Sequence, residues 1–175
     1  MVRKVEVVSY DPNWPLMFAR EREQLAQALP EEVVLRLLHI GSTSVVGLSA
    51  KPIIDMLLIV EDIAAFDDYA QEMADLGYEG LGEYGLPGRR YYYKGGNQRT
   101  HQIHAYQYDN VQEIGRHIAF RDYLRTHPEV AQQYGAVKQK AAVLNQRDIE
   151  GYMDAKNDFV KDFEKKALKW MWPHT

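Results

Sequence analysis

His39-Ile40-Gly41-Ser42-Thr43-Ser44-Val45-Val46-Gly47-Leu48-Ser49-Ala50-Lys51-Pro52-Ile53-Ile54-Asp55-Met56-Leu57-Leu58 is the stretch on which the fold turns. The β-branched and Leu-rich run from Val33 to Ile40 predicts a strand that ends at Gly41 and feeds a polar turn. Gly adds no Cβ, so backbone N–H groups and the hydroxyls of Ser42, Thr43 and Ser44 can approach phosphate oxygens closely. Residues 53–60 are nearly all apolar, as expected for a second strand covered on both faces. Asp55 is the charged residue inside it, and an ionised carboxylate there is costly unless it is paired or binds a cation. Two readings follow: Asp55 serves a ligand pocket, or it takes hydrogen bonds from the Gly-Ser turn or pairs with Lys51 or an arginine. The stretch is no P-loop, because Gly41 and Gly47 are six apart and Lys51 precedes Pro52.

Outward from this core the pattern is mixed. Residues 5–9 predict a short strand, and Asn13 is the expected cap of an amphipathic helix carrying Trp14, Met17, Phe18, Leu25 and Leu29. A helix over 62–76 stops at Gly77. Gly80, Gly82, Gly85, Pro87 and Gly88 predict an irregular, mobile lid before a hairpin of strands 90–94 and 99–108 turning at Gly95-Gly96-Asn97. The remainder reads as helices, opened by Asn110 with Glu113 and by Thr126 with Glu129, and ended by a helix with Tyr152, Lys156, Phe159, Phe163 and Trp170 on one face.

Composition bounds the function. The 175 residues are 46% hydrophobic, enough for one domain with a real core. A net charge of −4 argues against general nucleic-acid binding. The absence of cysteine excludes disulfides, thiolate metal sites and cysteine nucleophiles. No signal peptide or membrane-length apolar run is evident, so the cytoplasm is the expected compartment. Oligomeric state is not legible.

Several blocks carry a resemblance: Tyr10-Asp11-Pro12 with Trp14-Pro15, His39 to Thr43, Val46-Gly47-Leu48, Lys51 to Asp55, His101-x-x-His104, and Phe120 to Leu124 with His127-Pro128. In this order they resemble the GrpB-like family of the nucleotidyltransferase superfamily over nearly the full length. The resemblance implies an α+β, nucleotidyltransferase-like fold, a mixed β-sheet with flanking helices and a helical C-terminal half. It also implies a nucleotide or other phosphate-containing ligand, with divalent metal, magnesium first.

The superfamily's metal chemistry asks for two carboxylates two residues apart on a strand and a third from a neighbouring strand. Asp55 fills the first place, as catalytic and metal-ligand candidate. The second falls on Leu57, and in the third region His104 is the nearest polar group. Such a set supports at most a single magnesium held by Asp55 and the ligand's own phosphates. Gly41, Ser42, Thr43 and Lys51 are the expected ligand contacts, with His39 and His101 nearby. Residues 101 and 104 are three apart, however, and alternate to opposite faces of a strand. Arg90 and Arg99, with Arg89 and Lys94, either close over the anion or form a solvated basic hairpin. Arg121 lies on an inward helix face with His117, and either points into the pocket or has an acidic partner. The functional expectation is a phosphate- or nucleotide-binding domain with an incomplete carboxylate set; the alternative is a non-catalytic scaffold or regulatory domain.

Overall fold

The computed structural model describes residues 4–175; Met1, Val2 and Arg3 lie outside the described residues. Strands β1 (Val34–Ile40), β2 (Ile54–Val60), β3 (Tyr78–Gly80), β4 (Arg89–Lys94) and β5 (His101–Gln107) form one sheet in the order β1-β2-β5-β4-β3. β2 and β5 run parallel and the other neighbours antiparallel, so the sheet is mixed. Helices α1 (Trp14–Ala28), α2 (Ile63–Phe66) and α3 (Ala70–Asp75) cover one face. Helices α4 (Val111–Thr126), α5 (Pro128–Leu144) and α6 (Ile149–Met171) make up the C-terminal half, with α4 laid on the opposite face.

Register decides which side chain meets which layer. Successive strand residues alternate between faces, and Ile40 is opposite Asp55, Asp55 opposite Gln102, Leu57 opposite His104 and His104 opposite Tyr91. These residues therefore share the face toward α4. The intervening set, Ile54, Met56, Leu58, Ile103 and Ala105, packs with Trp14, Leu25 and Phe66 in the core under the N-terminal helices. A further apolar cluster joins Leu124, Ala131, Tyr134 and Phe163 of the three long helices to Val45 and Leu48, fixing the Gly-Ser loop against the helical half.

Several local expectations are corrected. Residues 5–9 form no strand; Val8 makes an isolated bridge to Ala50, and Pro52, lacking an N–H, cannot extend that ladder. Asn13 does not cap α1 through its side chain; Asp11 Oδ1 accepts the Asn13 N–H at 2.9 Å instead. The 62–76 helix is broken by a 3-10 turn over Asp67–Tyr69, a segment of weak helix formers. Thr126 closes α4 rather than opening α5, its hydroxyl donating to the Asp122 and Tyr123 carbonyls at 2.9 and 3.1 Å.

The glycine-rich segment is no free lid. Tyr78–Gly80 pairs with β4 as an edge strand that the sequence reading did not anticipate. Leu81 N–H then donates to Tyr91 O and Tyr91 N–H to Gly82 O, continuing the ladder. Buried Arg89 ties the turn down, donating to the carbonyls of Glu83 at 3.1 Å and Tyr84 at 2.6 Å.

Candidate functional site

A cavity of about 270 Å³ opens between the sheet end and the helical half, lined among others by Gly41, Ser42, Thr43, Lys51, Asp55 and His104. Its floor is the turn after β1. Gly41 has φ +71°, a conformation that favours glycine, and a Cβ there would lie 2.9 Å from Asp55 Oδ2. The glycine thus lets the turn pass directly over the carboxylate. Ser44 Oγ donates to the Gly41 carbonyl at 2.5 Å, closing the 3-10 turn of Ser42–Ser44. The Thr43 hydroxyl donates to Ile53 O at 3.3 Å and bridges the two strand ends.

Asp55 is held rather than sealed. His104 Nε2 lies 3.5 Å from its Oδ1, and the side chain keeps 29% of its surface exposed. With the Gln102 amide oriented by its neighbours, Gln102 donates to the same oxygen at 2.9 Å and accepts from Tyr91 OH at 3.0 Å. His104 packs beside His117 of α4, ring centres 5.1 Å apart. Burial, and secondarily the neighbouring His104, Arg116 and Arg89, hold His117 well below the ordinary imidazole value.

Most of the cations of this cavity come from the helices. Lys138 of α5 and Lys156 of α6 line it with Lys51 of the loop before β2, and Tyr134 and Tyr152 are part of the same lining. Lys138 is 2% exposed and its Nζ has no hydrogen-bond partner; it lies 4.5 Å from the centre of the Tyr134 ring. Burial, then repulsion from Lys156 and Lys51, brings its pKa down to about 6, with Asp55 opposing the shift. Lys156 is lowered by burial as well, and Lys51 and Lys156 both sit over the Tyr152 ring, at 5.2 and 5.1 Å. Tyr134 also lines the cavity beside Ser42, and burial holds its hydroxyl well above the ordinary phenol value. Arg116 is the arginine of the lining, and it is occupied: it donates to Glu113 at 2.7 Å and to Glu164 of α6 at 3.1 Å.

Strand parity explains which of the sequence candidates are absent from this lining. Arg90, His39 and His101 alternate to the other face of the sheet. Arg90 forms a bidentate pair with Asp67, at 2.7 and 3.0 Å. His101 lies 3.7 Å from Glu21, a buried carboxylate of α1 that also accepts from Lys94 at 2.6 Å and Tyr78 OH at 2.7 Å. His39 stacks on Phe18 and shares a 2.9 Å hydrogen bond with Thr43. Burial above all brings His39 down to about 4, and because the Thr43 hydroxyl donates to Ile53 O, the His39 Nε2–H is assigned as donor to Thr43 from behind the turn.

Arg121 is held by Asp122 at 2.8 Å and by the His39 carbonyl at 3.3 Å, outside the cavity. Arg99 donates to Tyr91 OH at 2.8 Å and stacks over Tyr93, so it reaches the site only through Gln102. Leu57 is fully buried against Ile40, Tyr106 and Ile114 under α4 and is not at the cavity floor. The residues missed by sequence reasoning are Arg116, His117, Tyr134, Lys138, Tyr152 and Lys156. One signal was present: Lys156 falls on the apolar stripe of Tyr152, Phe159 and Phe163, where a solvated lysine has no place.

The residues do not fit the two-metal centre that the nucleotidyltransferase fold implies. Asp55 is one carboxylate, the second position is a buried leucine, and no cluster of three or more His, Asp or Glu able to hold a metal occurs among the described residues. No reaction step is therefore assigned to a metal here.

Sheet and helical half together define an α+β domain of nucleotidyltransferase-like fold. Cid1 in complex with its short product ApU aligns with 75% of this chain at a TM-score of 0.50 and 15% identity, over 42% of that protein, a likeness of fold alone. The family model described as GrpB protein matches residues 4–166, and the chain belongs to the GrpB family. The crystal structure of the conserved protein GrpB from Enterococcus faecalis superposes with a TM-score of 0.92 at 49% identity, covering 95% of this chain and 99% of that one. The UPF0157 protein YqkA of Bacillus subtilis is 42% identical over 168 residues, 96% of this chain but 48% of the relative. The chain thus spans about half the length of that relative.

Proposed function

We propose that the cavity binds a phosphate-bearing small molecule, with a nucleotide as the class the fold favours. The observation that carries this reading is Lys138, an amine buried without a hydrogen-bond partner at a cavity that also presents Ser42, Lys51 and Lys156. Burying an amine with no hydrogen-bond partner is costly, and such a cost persists in a site that an anion completes. The cavity volume of about 270 Å³ lies just below the usual range of ligand pockets, about 300 Å³ upward, and suits a phosphorylated tail with the rest of the ligand at the mouth. General nucleic-acid binding is disfavoured by the net charge of −4.

For chemistry the site offers Asp55 with His104 as an acid–base pair next to the bound phosphate. Leu57 in place of a carboxylate favours the second reading, a ligand-binding regulatory or scaffold domain without transfer activity. Thermal unfolding against nucleoside triphosphates, coenzyme A precursors and the matching unphosphorylated nucleosides tests the binding reading, because a ligand of the native state raises its stability by mass action. A rise in Tm with phosphorylated members only is expected; no rise with any of them refutes it. Incorporation of labelled nucleotide into an acceptor, lost in Asp55→Asn, separates the enzyme from the binding domain.

A further inference from the structure

We propose that this pocket holds a polyphosphate anion without a divalent ion, the ammonium groups of Lys138 and Lys156 supplying the positive charge that metals supply in a carboxylate-built site. The inference rests on the phosphate-binding reading above and specifies how that binding is achieved.

Two independent features of the pocket point the same way. The acidic side is depleted: Asp55 is one carboxylate, its Oδ1 is already engaged by Gln102 at 2.9 Å, and Leu57 at the next position on that strand face is buried under α4. A magnesium ion prefers near-octahedral oxygen coordination and usually relies on at least one or two carboxylates beside substrate phosphates. The oxygens here are few and one is taken.

The basic side is enriched. Lys138 and Lys156 come from different helices, α5 and α6, and reach one cavity with Lys51 from the loop before β2. Lys138 sits over the Tyr134 ring and Lys156 over the Tyr152 ring. The two acidic groups of α4 and α6 near the cavity, Glu113 and Glu164, are paired with Arg116, so Asp55 is the carboxylate that offsets Lys138 and Lys156. A phosphate chain carries several charges and many acceptor oxygens, which suits divided ammonium donors. A divalent ion on that chain would repel the same lysines.

The competition can be read directly. Isothermal titration of the full chain with inorganic triphosphate, and separately with ATP, is run in EDTA and in excess magnesium, for wild type, Lys138→Met and Lys156→Met. Equal or tighter binding in EDTA, weakened at least tenfold by Lys156→Met in a protein that still unfolds cooperatively, is the expected result. Binding that appears only with magnesium overturns the metal-free assignment while leaving the phosphate-binding reading intact. Metal-free binding of unchanged affinity in both lysine variants overturns the assignment to these residues. Absence of binding under both conditions overturns this inference and the phosphate-binding reading together.

Discussion

At pH 7 Lys138 sits above its folded pKa of about 6, so most molecules of the empty protein hold it as a neutral amine. In the unfolded chain the same group titrates near 10.5. The unfolded state therefore binds more protons between these values, and the contribution of Lys138 to stability rises with pH across that window and is at its worst below about 6. The charged groups facing it are Lys51 and Lys156, which add to this trend, and Asp55, which opposes it. Lys138→Met removes the buried amine. It is expected to raise Tm at pH 6 to 7 by more than at pH 9, measured by thermal denaturation across pH, while abolishing stabilisation by phosphate-bearing ligands. A lower Tm at all pH values would mean that the ammonium is structurally paired. Gly41 makes the complementary case: Gly41→Ala meets a positive φ and the Asp55 carboxylate at once. A loss of about 2 kcal/mol or more is expected in urea unfolding, since strained backbone alone costs about 1–3 kcal/mol.

β2 carries the difference between an ordinary metal-binding strand and this one. Asp55 and Leu57 share its face, yet α4 slides over the second position with Ile114 and Ile118 and leaves the first in the open cavity. Leu57→Asp thus places a carboxylate in an apolar layer rather than beside a ligand. Urea denaturation is expected to show a loss of several kcal/mol, not recovered by magnesium with a nucleoside triphosphate. Recovery in the variant alone would mean that α4 yields and the strand face can still be made into a metal site. The same parity rule sorts the histidines. His101 and His104 are three apart on β5, so one joins the buried Glu21 network under α1 and the other reaches Asp55. A shared metal between them would require a bulge, and β5 pairs with β2 and β4 without one over these residues.

The pocket exists only where the sheet and the helical half meet. Gly41, Ser42 and Asp55 belong to one side; Lys138 and Lys156 belong to the other, held there by the cluster of Leu124, Tyr134 and Phe163 against Val45 and Leu48. Phe163→Ala is expected to cost about 3–5 kcal/mol as a buried aromatic truncation. By loosening α6 it should also reduce the Tm rise with inorganic triphosphate. Hydrogen exchange provides a second check: triphosphate should slow exchange both in residues 41–45 and in α5 and α6, because a ligand spanning two packed halves stabilises both. Slowing in one half alone would place the ligand elsewhere.

What the sequence determined by itself is local and periodic. A strand ending at Gly41-Ser42, an apolar strand with Asp55 inside it, the hairpin at Gly95-Gly96-Asn97 and the capped α4 at Asn110 are all written in short-range pattern, since alternation and capping need only neighbours along the chain. Ordered blocks from Tyr10 to His127 were enough to carry the family. The tertiary structure alone decided the cation set. Arg90 and Arg121 are as cationic as Lys138, but each is taken by a nearby aspartate, Asp67 or Asp122, and held outside the cavity. Lys138 and Lys156 lie roughly a hundred residues from the Gly-Ser turn in sequence and reach it through helix packing. Which lysine is stranded without a partner depends on burial and on every charge around it, and those are properties of the folded packing rather than of any segment.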